Sequence, residues 1–114
     1  MEMLAGLNVA SYTQTLLSDK TATGAGQGFA VNNLHRTFQA KGTTTAGAGA
    51  ATIAVQVSNT DSDADYITLG TISLTLGTTS TSDGFTSDAP WKYVRGNVTA
   101  ISGTGASVTL TMGV

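Results

Sequence analysis

The chain reads as an all-β protein: an antiparallel β-sandwich, jelly-roll-like, preceded by an extended N-terminal arm. Three observations predict this. Apolar residues alternate with polar ones at period two from the middle of the chain onward, the spacing of half-buried strands. The runs are rich in Thr, Val and Ile, which suit a pleated surface. Clusters of Gly, Ser, Thr, Asn and Asp separate them at short intervals, the punctuation of a sandwich or barrel with roughly five or six short strands.

The elements follow in order. "NLHRTFQAK" alternates around Leu34, Phe38 and Ala40. In "TIAVQVS", Ile53, Val55 and Val57 face one way, opposite Thr52, Ala54, Gln56 and Ser58. "YITLGTISLTL" places Ile67 and Leu69, then Ile72, Leu74 and Leu76, inward. Its phase slips at Gly70–Thr71, as at a bulge. Between Tyr93 and Ile101, the set Val94, Gly96, Val98, Ala100 faces in and Tyr93, Arg95, Asn97, Thr99 faces out. "VTLTMGV" alternates Val108, Leu110, Met112 and Val114 with Thr109, Thr111 and Gly113. The predicted core is Ile53, Val55, Val57, Ile72, Leu74, Val98, Val108 and Leu110. "KGTTTAGAGAA", "NTDSDAD", "GTTSTSDGFTSDAP" and "SGTG" read as connections.

Residues 1–28 follow neither period. Leu4, Leu7, Tyr12, Leu16 and Leu17 are scattered, and the Gly-rich "TATGAGQG" follows. They are assigned to an arm and linker whose apolar residues dock on the sandwich or, preferentially, on a neighbouring subunit. The sandwich domain is then 29–114.

Composition excludes several functions. A net charge of −2 gives no electrostatic footprint for nucleic acid. No stretch approaches the ~20 apolar residues of a membrane span. The N-terminus lacks a basic region and carries Glu2, so it does not read as a signal peptide. Cysteine is absent and there is one histidine, so neither a Cys–His dyad nor a multi-His metal site can form. His35, beside Arg36 on a strand, reads as structural or surface, and no G-x-S-x-G is present. "GAGQG" fits neither phosphate-loop pattern. "DSDAD" spaces Asp61, Asp63 and Asp65 as a calcium loop does, but Tyr66 and Ile72 stand where such a loop has Gly and Glu. A solvated hairpin tip is the better reading. "NVT", residues 97–99, matches a glycosylation acceptor but lies within a strand. The chain is therefore expected to have no enzymatic activity, metal or cofactor.

Only 11% of residues are charged, against about 25% in ordinary soluble domains. Either hydroxyls keep the surface soluble or neighbours cover much of it. Within this plain background "PWKYVRGN" gathers the only Pro, the only Trp, a Tyr and an Arg. Trp91, Tyr93 and Arg95 fall on one face at strand spacing, and these residue types are enriched at protein interfaces. The structural alternative is that Trp91 caps the core while Arg95 pairs with a loop Asp.

From Phe38 onward the chain resembles small β-sandwich structural proteins of tailed bacteriophages. The residues that carry the resemblance are "ATIAVQVSNTDSDADYITLGTISLTL", then "SDGF", then "APWKYVRGNVTAISGTGASVTLTMGV". Such proteins include capsid decoration (cement) subunits and tail or fibre accessory modules. The resemblance implies a virion protein made in the host cytoplasm, assembled as a homo-oligomer, often a trimer, with the major capsid protein as partner. The expected function is capsid decoration, with Leu4, Leu7, Tyr12, Leu16, Leu17, Trp91, Tyr93 and Arg95 as contact residues. The alternative is a tail or fibre module binding host-surface carbohydrate through Trp91 and Tyr93.

Overall fold

The computed structural model describes residues 13–31 and 35–114. Among the described residues nine strands are formed: β1 (Thr13–Lys20), β2 (Gly24–Ala25), β3 (Phe29–Ala30), β4 (Arg36–Thr43), β5 (Ala46–Ser58), β6 (Ile67–Leu76), β7 (Thr81–Ser87), β8 (Tyr93–Thr104) and β9 (Ser107–Gly113). One sheet has the order β1-β9-β4-β7. The other has β2-β8-β5-β6, with β3 also on β8. Every pairing is antiparallel. If β2 and β3 are taken as one interrupted strand, the chain is a single long hairpin rolled up. β5 pairs β6, β4 pairs β7, β2 and β3 pair β8, and β1 pairs β9. That is the two-sheet jelly roll.

The period-two reading holds for the core. All eight residues predicted to be buried are buried, joined by Phe38, Ala40, Leu76, Val94 and Met112. The inward faces of the two sheets meet in one core.

Five local readings are corrected. The first concerns the arm. Residues 13–20 form β1, which pairs β9 from Thr13↔Gly113 to Lys20↔Val108. A register break between Thr15 and Leu17 inserts an extra residue, so the adjacent Leu16 and Leu17 both turn into the core. The sandwich therefore includes residues that the sequence reading gave to the arm. Leu4, Leu7 and Tyr12 lie outside the described residues, as does Leu34. Second, the Gly-rich linker runs along β8: Gly24 faces Val98, and the Gly26 amide donates to the Gly96 carbonyl at 2.8 Å.

Third, "GTTSTSDGFTSDAP" is not all loop, because β7 crosses it and pairs β4 from Arg36↔Ser87 to Gly42↔Thr81. Similarly, β4 and β5 consume all of "KGTTTAGAGAA" except Thr44 and Thr45. Fourth, the β6 irregularity falls at Leu69, one residue before the predicted slip: Val55 pairs Gly70 and Gln56 pairs Thr68. Ile72, Leu74 and Leu76 are buried, Leu69 is half-buried, and Ile67 is exposed. Fifth, Thr52 pairs Ala100 whereas Ile53 pairs Val98. The extra Thr99 reverses the alternation, so Ala100 faces out and Ile101 packs against the core.

Candidate interaction surface

The predicted contact residues do not form one stripe. Trp91 lies ahead of β8, is half-buried and packs against the core cluster. Tyr93 and Arg95 are in β8, paired with Ser58 and Gln56 of β5. The β5–β6 connection folds back over the outer face here. Its Asp63–Asp65 stretch forms a single 3₁₀ turn.

Beneath this connection Arg95 is buried and held by three partners. Its Nε donates to Gln56 Oε1 at 2.8 Å, its Nη1 reaches Asp63 Oδ1 at 2.6 Å, and its guanidinium lies 4.1 Å from the centre of the Tyr66 ring. This planar, always-charged group is suited to bonding and stacking at once. The Asp63 side chain is 97% exposed, so this ion pair contributes orientation more than stability. The structural alternative drawn from the sequence, Arg95 paired with a loop Asp, is what the fold contains.

The three Asp residues of "DSDAD" turn to different partners. Asp61 accepts from the Tyr66 hydroxyl at 2.8 Å, Asp63 from Arg95, and Asp65 from the Thr60 hydroxyl at 2.6 Å. Burial of the Tyr66 hydroxyl raises its pKa first, and the hydrogen bond and charge of Asp61 add to it. Together, against the opposing charge of Arg95, they push the phenol up to about 12. The pair sits directly over Gly28, where any side chain would collide with the Tyr66 hydroxyl. The loop thus spans from β5 to the strand that carries Phe29.

At the end of the sandwich a shallow depression of about 260 Å³ is lined by Ser58, Asn59, Thr60, Asp65, Ile67 and Trp91. Ile67 is 53% exposed, the one large apolar side chain so exposed among the described residues. It pairs with Val57, whose side chain faces the core, so it marks where the inner face runs out beyond the other sheet. Sequence reasoning missed Ile67 as a surface residue because alternation alone placed it inside. Lys92 Nζ stands 5.5 Å from the Tyr93 ring centre, and His35 bonds Asp88 at 2.7 Å with both side chains exposed.

The outer face of the first sheet is different. Thr15, Thr111, Gln39 and Gly84 lie in one row, and Lys41 beside Thr109 in the next. Thr111 donates to the Gln39 carbonyl at 3.4 Å and Thr37 to the Gly113 carbonyl at 3.5 Å. Apart from Lys41, the residues named in these rows are uncharged.

The pairing order and this surface define a two-sheet jelly-roll domain with a braced loop at one end. No protein-family model and no curated protein matches the chain. Among solved structures it is similar to the crystal structure of PBSX exported protein XepA, with a TM-score of 0.55 at 11% identity. The match covers 97% of this chain and 39% of that one, so the chain spans well under half of that protein's length. At this identity the likeness is one of fold. No helix among the described residues is long and apolar enough to cross a membrane.

Proposed function

We propose that the chain is a structural subunit of a tailed-phage particle, a capsid decoration protein present in many copies that binds across neighbouring major capsid subunits. The reading is supported by the motif resemblance from Phe38 onward, by a composition poor in charge, and by a fold similar to that of PBSX exported protein XepA. The observation that carries it is the apolar spot at the end of the sandwich, exposed Ile67 beside half-buried Trp91. It borders a loop that Arg95, Gln56 and Tyr66 hold in place. An apolar anchor on a rigid support is the usual centre of a protein contact. Each contact need only be modest, because many copies act together. The reading assigns the chain no catalysis and no cofactor.

A second reading, a tail or fibre module for carbohydrate, draws on the same depression, where Asn59, Thr60 and Asp65 stand beside an indole. Two measurements separate and test them. Copy number by mass spectrometry of purified particles should be commensurate with the major capsid protein; a few copies per particle would favour the tail. Ile67→Asp should abolish co-sedimentation with particles lacking the protein while melting as the parent does. Normal binding by that variant would remove this end of the sandwich from the contact.

A further inference from the structure

Among the described residues the two sheets have four edges, and three of them are blunted. Unpaired edge strands invite pairing with other chains, and proteins manage them with bulges, charges and interruptions. β1 has two register breaks, and Asp19 beside Lys20 sits in the left-handed region at φ 47. On β7 the Asp83 carboxylate accepts from the Gly84 amide at 2.8 Å, occupying an edge donor. β2 and β3 are two-residue pieces separated by "GQG". On β6 the only irregularity is at Leu69. From Thr71 to Leu76, "TISLTL" has no charge, no Pro, no Gly and no bulge.

The backbone of this stretch is turned outward at alternate residues. Thr71, Ser73 and Thr75 are exposed, while Ile72, Leu74 and Leu76 are buried. The Thr75 carbonyl accepts from the Thr81 hydroxyl at 3.0 Å, so it points away from β5. Thr52, opposite Ser73, turns its carbonyl to β8, where the Thr99 hydroxyl reaches it at 3.2 Å. Antiparallel pairs alternate between bonded and non-bonded. The N–H and C=O of Thr71 and Ser73 therefore face the edge of β6 that has no strand partner among the described residues.

We propose that this edge pairs with the same edge of a second copy, antiparallel, about a two-fold axis at Ser73. Ser73 then lies opposite Ser73 of the partner subunit, and Thr71 opposite Thr75 of the partner subunit, whose carbonyl accepts from Thr81 with one lone pair and keeps the second for the joint. The segment is self-complementary, as an isologous contact requires. Its outward side chains are small hydroxyls, so the register brings no like charges and no bulk together. The inward side chains Ile72 and Leu74 continue the apolar face across the joint. The β2-β8-β5-β6 sheets of the two copies become one continuous sheet, the β-augmentation mode of recognition. The strip is short, so the contact is weak in isolation and gains strength where copies are held side by side. The inference is independent of the phage reading, because it concerns the purified chain alone.

The test is self-association of the full chain, followed by sedimentation and NMR diffusion up to ~1 mM. The parent should pass from monomer to dimer with rising concentration. Ser73→Pro removes an outward-facing donor at an edge position that tolerates proline. It should weaken dimerisation at least about tenfold with the melting temperature kept. Ser73→Lys, which leaves the backbone intact, should do the same and serves if the proline variant fails to fold. Thr15→Lys on β1 should leave the dimer unchanged. A parent that stays monomeric throughout overturns the proposal, as does a dimer that survives Ser73→Lys.

Discussion

The sandwich is closed along its two long sides in the same way, by a large side chain over a glycine, but the two closures differ in depth. On the β1 side, Leu17 is 1% exposed and fills the space above Gly96, where an added Cβ would come within 2.7 Å of Leu17 and Leu110. On the β6–β7 side, Phe85 covers Gly70, where an added Cβ would come within 2.6 Å of the ring. Phe85 is half-buried, with its ring centre 5.2 Å from that of Phe38. Glycine in both places lets the sheets approach closely. The β1 closure is part of the core, whereas the β7 closure sits at its rim and has room to yield.

Removing residues 1–28 has the largest expected effect. The deletion takes away β1 with Leu16 and Leu17 and should abolish the cooperative melt; a folded remainder would show that β1 is an accessory strand. Next, Leu17→Ala should cost about 2–5 kcal/mol in denaturant unfolding, and Phe85→Ala clearly less despite its larger side chain. Equal costs would erase the distinction between the two sides. Gly96→Ala should then cost roughly 1–3 kcal/mol by overpacking, and Gly70→Ala less, because the Phe85 ring can swing outward. The reverse order would place the rigid closure at β7.

The smallest effect lies away from both closures and is pH-dependent. The phenol of Tyr66 is held at about 12 instead of 10.0, so its contribution is complete below pH 10. It is lost as the pH rises through the folded pKa. Tyr66→Phe should flatten the fall in stability between pH 10 and 12 relative to the parent. Parallel profiles would mean that neither burial nor the Asp61 bond holds the proton on the phenol.

Much of the fold was legible because β5, β9 and the first half of β8 carry clean alternation of apolar residues, the pattern of a half-buried strand. β1 was not legible: its bulge puts Leu16 and Leu17 on the same side, a pattern with no fixed period. β7 has a single large apolar residue, Phe85, too little for any period to appear. The reversal at Ala100 and Ile101 depends on a bulge set by the partner strand. At the candidate surface, the sequence drew attention to Trp91–Arg95 by composition and strand spacing. It offered a loop Asp as a partner for Arg95, but not Gln56 or the Tyr66 ring, which meet it only once the strands and the connection are folded. Ile67 was hidden by its correct alternation, because a residue's exposure depends on how far the opposite sheet extends.

The nested pairing has a consequence for the order of assembly. β1 and β9 lie at opposite ends of the chain, which by sequence separation alone makes for slow folding. In a rolled hairpin that separation shrinks step by step. Once β5 and β6 have met through their short connection, β4 and β7 start as neighbours, then β2–β3 with β8, and β1 with β9 last. Each step closes only a short additional loop, at small entropic cost. The outermost turn locks last, and it holds Leu17. Weakening that residue should therefore hasten unfolding far more than it delays folding, so β1 sets how long the native sandwich persists.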